Sequence, residues 1–471
     1  MSQAVAVATE EKKRPPKGKI DMTEGPFLKK IVAFILPLIL TGLLQSLYNA
    51  ADLAVVGQFR GELALAAVGS TGSLTHLILG LFMGLSVGAG VMVAHQMGAL
   101  RYRAVQKTVH TAIVLATVLG VAVGVIGFFV ARPLLVLMDT PETVLDGAAL
   151  YMRIMFCGTP ASMIYNYCAA MLRSTGDTKR PLFFLTVSGL VNVLLNLVFV
   201  VGFGMSVEGV GIATIVSQYL SAVMILVYMA RTDGVLKVSF RKLRVNRAIV
   251  RQMMRIGIPS GLQGAAFSLS NVMIQSSINY FGDVVVAGNS AASNLEGFVY
   301  VSMNAVYQAA LTFVGQNVGA KKYKNIKKVV LLCLLCTTVI GLLVGGVILL
   351  FRDFFVGLYV SDSAAVAEVA ITRLFSILPI YFLCGMMEVL SGAIRGMGKS
   401  VTAMITSLLG ACAFRILWVK LLFVLLAQPK IQHVYLSYPV TWLTVIFLNA
   451  WFTILFYRRL EKGKDNLAVS S

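Results

Sequence analysis

Apolar stretches long enough to cross a lipid bilayer recur along the whole chain, and they constrain its fold more than any other feature. A spanning helix needs about 20 predominantly apolar residues, and polar loops separate twelve such stretches here. We predict helices over residues 31–57, 64–96, 108–131, 145–172, 181–204, 208–231, 249–281, 285–318, 328–351, 366–394, 401–428 and 437–459. The sequence therefore predicts an all-α polytopic membrane protein with 12 transmembrane helices.

Composition supports this class and indicates an orientation. Of the 471 residues 58% are hydrophobic and 13% are charged, whereas soluble proteins carry about 25% charged residues. The net charge of +20 does not indicate a nucleic-acid partner, because 32 of the 40 Lys and Arg residues fall in the two tails and in alternate loops, against 4 in the intervening loops. Basic residues collect on the cytoplasmic side. We therefore expect a multi-pass protein of the cell membrane with both termini in the cytoplasm.

The chain contains an internal repeat. HQMGALRYRAV, residues 95–105, matches QNVGAKKYKNI, residues 316–326, at an offset of 221. The offset recurs within one residue for these pairs: Pro37 and Pro259, Gly61 and Gly282, Arg153 and Arg373, Arg173 and Arg395, Gly176 and Gly398. A constant spacing at several separate places indicates a duplication.

Six spans per copy make the two copies parallel repeats, about an axis along the membrane normal. We predict two pseudo-symmetric six-helix lobes, an N-lobe over residues 31–231 and a C-lobe over residues 256–459. A basic cytoplasmic tail, residues 1–30, precedes them, and a short tail, residues 460–471, follows. The linker, residues 232–255, is strongly basic. It is either an amphipathic helix on the anionic inner leaflet or a solvated loop.

Asp52 is the only acid in the first apolar stretch, and an ionisable residue inside a span indicates a functional site. Four polar residues of the same half have a similar predicted depth: Tyr151, Asn192, Asn196 and Thr214. Together they could hydrogen-bond a protonated acid or offer oxygen ligands to Na⁺, with Asp52 and Asn192 as the candidate ligands. The alternative is that the Asn and Thr side chains only join helices by hydrogen bonds.

The second half places its acids elsewhere. Ile274 or a neighbour takes the position of Asp52, while Glu296 and Glu388 fall inside the predicted spans. Arg415 is the candidate counter-charge. Either one glutamate carries an exchangeable proton or a cationic substrate, or the acids and arginines form structural ion pairs.

The sequence lacks the motifs of several classes of enzyme. The sequence has no Walker A motif and no HExxH or GxSxG, so ATP hydrolysis and the common membrane hydrolases are not indicated. We expect no enzyme activity and no resident cofactor.

Paired motifs in both halves carry a family resemblance. They are PLILTGLLQSLYNAADLAVVGQFRG, VAHQMGALRYRAVQK, MLRSTGDTKRP, EGVGIATIVSQ, TFVGQNVGAKKYKNIKK and AIRGMGKS. From about residue 25 to residue 460 the chain resembles the multidrug and toxic compound extrusion (MATE) family. NLEGFVYVSMNA together with MEVLSGAIRGMGKS is most similar to its DinF-like bacterial branch.

The resemblance implies a secondary transporter that exports cationic or amphipathic small molecules across the lipid bilayer in exchange for H⁺ or Na⁺. We expect it to be a monomer. The resemblance also implies that Asp52, Tyr151, Asn192 and Thr214 form an N-lobe ion site. Asn196 stands where many members of the family have Asp, which removes one charge from that site. A flippase for lipid-linked precursors or polysaccharides, from the same superfamily, is the alternative function.

Overall fold

The computed structural model describes residues 20–360, 363–425 and 430–463, and every regular element in these ranges is a helix. In chain order the α-helices are α1 Phe27–Ser70, α2 Gly72–Gly98, α3 Tyr102–Leu137, α4 Glu142–Cys157, α5 Thr159–Ser174, α6 Lys179–Asn196, α7 Val207–Arg231, α8 Arg247–Asn279, α9 Asp283–Gly319, α10 Tyr323–Leu350, α11 Arg352–Gly357, α12 Ala364–Ile377, α13 Phe382–Gly396, α14 Ser400–Ser407, α15 Phe414–Leu425 and α16 Ile431–Glu461. Most of the predicted tail 1–30 and of the predicted tail 460–471 lies outside the described residues.

The fold class is confirmed, but the number of spans stays a prediction. Within the described ranges nine helices are long and apolar enough to cross a membrane, and a bent pair, Ala364–Ile380 with Phe382–Gly396, makes a tenth if it is one span. The predicted fourth stretch is divided at Gly158 into α4 and α5, each of 16 residues. The predicted seventh stretch lies in α8, which carries many polar side chains. The predicted lobe and linker boundaries also stay predictions.

The backbone reproduces the internal repeat. A left-handed residue, Gly61, interrupts α1, and its partner Gly282 precedes α9 with a similar φ. Leu100 and Lys321 share a positive φ at the ends of α2 and α9, at the repeat offset. A π-helical segment follows α6, Leu197–Gly202, and another follows α14, Leu408–Ala413, in the corresponding helix of each half. The positive-φ residues recur at the repeat offset and so support the duplication, whereas the two π-helical segments begin 211 residues apart and share only the helix in which they occur.

The bundle has two ends, which we call the linker face and the opposite face. The linker face carries the linker between α7 and α8 and the turns that follow α2, α5, α9 and α13. The opposite face carries Gly61, Gly282 and the turns that follow α3 and α10. Successive spans run from one face to the other.

The two lobes join in the half of the bundle next to the linker face. There, the start of α1, with Phe27 and Phe34, packs in a buried cluster with α9 and α10 of the C-lobe. The start of α8, with Met253 and Ile256, packs in a cluster of the N-lobe. Toward the opposite face, each buried cluster among the described residues belongs to one lobe. As far as the described residues go, the lobes therefore share buried apolar clusters in the half next to the linker face.

The ends of α2 and α9 cross in direct backbone contact at the linker face. A Cβ on Gly98 would lie 1.9 Å from the carbonyl oxygen of Gln316, and one on Gly319 would lie 2.0 Å from that of His95. Only glycine allows helices to approach so closely. The duplicated glycines therefore make this crossing symmetric.

Two hydrogen bonds of equal length join the lobes beside the crossing. His95 Nε2 in the N-lobe donates to the carbonyl oxygen of Gly396, and Gln316 Nε2 in the C-lobe donates to that of Ser174, both at 2.7 Å. His95 and Gln316 are equivalent positions of the repeat, as are Ser174 and Gly396. The duplication thus closes the linker face with a symmetric pair of bonds.

The linker is a loop over most of its length, and α8 begins within its predicted range. Before Arg247 its helical content is a single short turn, Phe240–Lys242, while residues 247–255 form the start of α8. Leu236 and Val238 are buried in the N-lobe cluster. Outside the spans, a hydrogen bond from Lys237 lowers the pKa of Asp233.

The α2–α9 crossing predicts a sharp difference between two glycine substitutions. We expect Gly98→Ala to lower the free energy of unfolding by about 3 kcal/mol, because two backbones must move apart. Thermal unfolding of the purified protein in detergent measures this change.

Gly346→Ala is the matched control, since Gly346 is also helical and a Cβ there meets nothing within 4 Å. An equal loss of stability in both variants would contradict the close crossing.

Candidate functional site

Asp52 lies on α1 in the half toward the opposite face and is only 9% exposed. Asn196 Nδ2 donates a hydrogen bond to Asp52 Oδ1. Thr214 Oγ1 lies 3.4 Å from Asp52 Oδ2. Three helices of the N-lobe, α1, α6 and α7, thus bring one carboxylate and two polar side chains together.

Asn192 completes a closed ring of hydrogen bonds. Its Oδ1 accepts from Asn196 Nδ2, and its Nδ2 donates to Thr214 Oγ1, each at 3.4 Å. Asn192 and Asn196 are one helical turn apart and so share a face of α6. We call Asp52, Asn192, Asn196 and Thr214 the Asp52 ring. The π-helical turn that begins at Leu197 follows directly, a feature frequent at functional sites.

Tyr151 is buried beside the ring but does not join it. It lies on α4, is 7% exposed, and acts electrostatically with Asp52. Its hydroxyl makes no hydrogen bond with any residue that the structure describes. Four of the five predicted N-lobe residues therefore form one network, and the fifth lies next to it.

The Asp52 ring accommodates both protonation states of its carboxyl. Thr214 Oγ1 has one hydrogen and lies 2.9 Å from the carbonyl oxygen of Val210 as well as 3.4 Å from Asp52. When Asp52 is ionised, this hydroxyl can donate to the carboxylate. When Asp52 is protonated, the carboxyl can donate to Oγ1 while the hydroxyl donates to Val210. A proton can therefore be taken up without dismantling the ring.

The ring also offers oxygen atoms to a hard cation. Asn196 Oδ1 is buried and has no hydrogen-bond partner, and the Asp52 carboxylate, Asn192 Oδ1 and Thr214 Oγ1 are close by. Oxygen ligands of this kind suit a hard cation. Only one of these groups carries a full charge, because position 196 is an amide.

Glu296 is fully paired in the C-lobe. Arg373 donates to both of its carboxylate oxygens, Nε to Oε1 at 2.7 Å and Nη2 to Oε2 at 2.8 Å. Arg373 Nη1 also donates to Asn289 Oδ1, which accepts from the Tyr435 hydroxyl at 3.3 Å. Both partners of the ion pair are buried. This geometry is that of a structural bidentate pair.

The prediction of Arg415 as the counter-charge is wrong. Its Nη2 donates to Thr441 Oγ1 at 3.0 Å, and its guanidinium lies over the Tyr438 ring at 4.6 Å. Depth along the membrane suggested Arg415, but the ion pair to Glu296 comes from Arg373. The position of Asp52 is filled by an apolar residue in this half, as predicted, since Ile274 is buried among C-lobe side chains.

Glu388 differs from Glu296 because its carboxylate has no ion-pair partner in the part of the chain that the structure describes. It is 8% exposed on α13, and no described residue makes a hydrogen bond or ion pair with its carboxylate. Arg395 acts on it electrostatically but donates its own hydrogen bonds to the Tyr307 hydroxyl and to Gln263 Oε1. Sequence reasoning missed Gln263 and Tyr307. Arg395 could have been noticed, because the repeat pairs it with Arg173.

The repeat, the all-helical fold and the site lead to a family. The MatE family model matches residues 37–198 and again residues 259–419, well over half of the chain. The chain belongs to the MatE family. The two matches begin 222 residues apart, which confirms the duplication. Placement in the DinF-like branch stays a prediction.

Relatives and solved structures agree with this family. The chain is 26% identical over 424 residues to the probable multidrug resistance protein YoeA of Bacillus subtilis, covering 88% of this chain and 91% of YoeA. It is 23% identical over 410 residues to the probable multidrug resistance protein NorM of Thermotoga maritima, covering 85% and 87%.

Two solved structures have the same fold. One is an outward-facing multidrug resistance MATE family transporter of the MOP superfamily, with a TM-score of 0.88 at 21% identity over 96% of this chain and 100% of that one. The other is a MOP superfamily transporter from Pyrococcus furiosus, described as having a binding pocket of reverse polarity. It has a TM-score of 0.89 at 21% identity over 95% of this chain and 100% of that one.

The Glu296–Arg373 pair predicts a structural phenotype. Arg373→Ala should lower the free energy of unfolding by about 3–5 kcal/mol, because it leaves a buried carboxylate unpaired. Thermal unfolding in detergent measures the loss.

Replacing both partners, as in Glu296→Gln with Arg373→Met, should recover most of that stability, since neither buried charge remains. A double variant no more stable than Arg373→Ala would contradict the assignment.

Proposed function

We propose that this multidrug efflux transporter of the MatE family exports cationic or amphipathic small molecules in exchange for H⁺ or Na⁺. Asp52 is the coupling group of this proposal. The opening between the lobes alternates between the two faces, and the ionised and neutralised forms of Asp52 favour different openings. Coupling requires only that substrate and ion bind the two states with different affinities.

The Asp52 ring is the observation that carries the proposal. It holds a buried carboxylate that no arginine or lysine of the described ranges pairs with, and such a group is costly to keep ionised. Uptake of a proton or a monovalent cation removes that cost. An ion pair like that of Glu296 lacks this property, because its charge is already compensated.

Of the two coupling ions, we propose H⁺. A proton requires only that the Thr214 hydroxyl change its acceptor. For Na⁺ to use Asn196 Oδ1, the amide that now donates to Asp52 would have to turn. The single carboxylate also leaves fewer charged ligands for a cation.

Glu388 is the proposed contact for the positive charge of a substrate. Its carboxylate lies near the Tyr300 and Tyr307 side chains, and aromatic rings together with a carboxylate suit organic cations. Glu296 is not proposed for this role, because Arg373 occupies both of its oxygens.

The linker face is the proposed cytoplasmic side, in the cell membrane. The excess of Lys and Arg in the linker and in the turns of that face supports this orientation. Because the lobes join next to that face, the proposed opening between them faces the outside in the present conformation.

Asp52→Asn should abolish coupled efflux, because an amide can neither take up a proton nor carry the charge that a cation balances. The measurement is dye transport in everted vesicles, with a pH gradient and a Na⁺ gradient imposed separately. A pH gradient alone should drive the wild type. Asp146→Asn is the control, since this acid is largely exposed at the opposite face.

Full transport by Asp52→Asn would remove this residue from the mechanism. Transport driven only by Na⁺ would replace H⁺ as the coupling ion. Lipid flipping without dye efflux would favour the flippase instead.

Glu388→Gln should lower transport of a monovalent cationic dye about tenfold, while a neutral amphipathic substrate is affected little. The reason is that one charge contact is lost without a change of shape. Competition assays with cationic and neutral compounds in the same vesicles measure the difference, and equal losses for both would contradict the assignment.

A further inference from the structure

The segment before α1, residues 20–26, lies across the linker face, and we call it the strap. Its anchor is in the C-lobe. Asn317 Nδ2 donates to the carbonyl oxygen of Met22 at 2.8 Å, and Asn325 Nδ2 donates to that of Thr23 at 2.9 Å. The Met22 side chain is fully buried in the cluster shared by α1 and the C-lobe. The strap is thus held by two asparagine side chains that donate to its backbone carbonyl oxygens and by its own buried Met22 side chain.

The other end of the strap touches the N-lobe. A Cβ on Gly176, in the turn after α5, would lie 2.8 Å from the backbone nitrogen and oxygen of Ile20. Gly176 has a φ of +87°, so both its conformation and this contact favour glycine. The strap therefore bridges the two lobes.

This bridge runs beside one of the two hydrogen bonds that close the linker face. Gln316, which donates to the carbonyl oxygen of Ser174, directly precedes Asn317. Ser174 is two residues before Gly176. The hydrogen bond and the strap thus join the same two turns in parallel.

We propose that the strap forms a reversible contact between the two lobes that holds the linker face closed. Its separation from Gly176 is a step in opening that face. The proposal rests on alternating access, as set out under the proposed function. Opening must part the turn after α5 from the end of α9. The contact at Ile20 is then the one that breaks, because the Met22 anchor is deeper and has more hydrogen bonds.

An ion pair at the surface adds to the anchor. Lys322 Nζ binds Glu24 Oε1, and Lys30 Nζ donates to the carbonyl oxygen of Glu24. These contacts stiffen the strap where it enters α1. Their loss would weaken the anchor that holds Ile20 against Gly176, without disturbing the buried helices.

Displacing the strap tests the proposal. We expect Gly176→Asn to raise the ratio of open to closed molecules at the linker face about fivefold, because its side chain collides with Ile20 whereas Asn tolerates a positive φ. Gly398→Asn is the matched control, because it places Asn at a similar positive φ, +79°, at the equivalent position of the C-lobe.

The readout is the distance between spin labels on the two lobes of the full-length protein in nanodiscs. It is measured by double electron–electron resonance, a pulsed electron paramagnetic resonance experiment. Lys107→Cys and Lys327→Cys supply exposed labelling sites at the starts of α3 and α10, in a Cys157→Ser background because Cys157 is exposed. The measurement needs no substrate or ion gradient. It therefore gives a result even if Asp52 proves not to couple transport.

A shift toward longer distances for Gly176→Asn but not for Gly398→Asn supports the strap. Equal shifts, or no shift in either variant, overturn it. Glu24→Lys provides a second test that leaves the interior intact: it should raise the open fraction about twofold, and adding Lys322→Glu should reverse the change. A failure of the reversal would also count against the strap.

Discussion

Each of the helices α1 and α8 packs on both lobes: its first half is buried in one lobe and its second half in the other. The rest of the architecture depends on this division. Phe34 packs with the C-lobe, whereas Val56, farther along α1, packs with the N-lobe. In α8 the order is reversed: Ile256 packs with the N-lobe and Ile274 with the C-lobe. Any rearrangement of the lobes must therefore be absorbed within these two helices. Both carry an internal proline, Pro37 and Pro259, where the helical hydrogen-bond ladder is interrupted.

This division also connects the Asp52 ring to the closure of the linker face. Asp52 lies on the part of α1 that belongs to the N-lobe, while the start of the same helix continues from the strap and packs on the C-lobe. A change in how Asp52 is held between α6 and α7 would act on a helix whose other end is fixed elsewhere. A single helix, α1, thus connects the Asp52 ring to the contacts between the lobes.

Much of this organisation was predictable from sequence, and the exceptions have physical causes. The repeat offset indicated the duplicated turns, and counting along the helices placed Asn192, Asn196 and Thr214 at the level of Asp52. Depth does not determine the direction in which a side chain points, so Arg415 was chosen as the counter-charge where Arg373 forms the pair. The hydrogen bonds of His95 and Gln316 had a signal in the repeat itself, since these residues begin its two best-matched segments. No pattern indicated that Met22 would be buried or that residues 20–26 would be fixed on the linker face, because the contacts of this segment are mainly through its backbone atoms.

The single ionisable group of the ring has an electrical consequence. If the ring alone couples transport, each cycle exchanges one elementary charge through it. Export of a monovalent cation is then electroneutral and insensitive to the membrane voltage. A neutral substrate would be driven by that voltage, while a divalent cation would move against it at about 2.3 kcal/mol per 100 mV. The amide at position 196 would therefore decide which substrate valences a resting cell can expel.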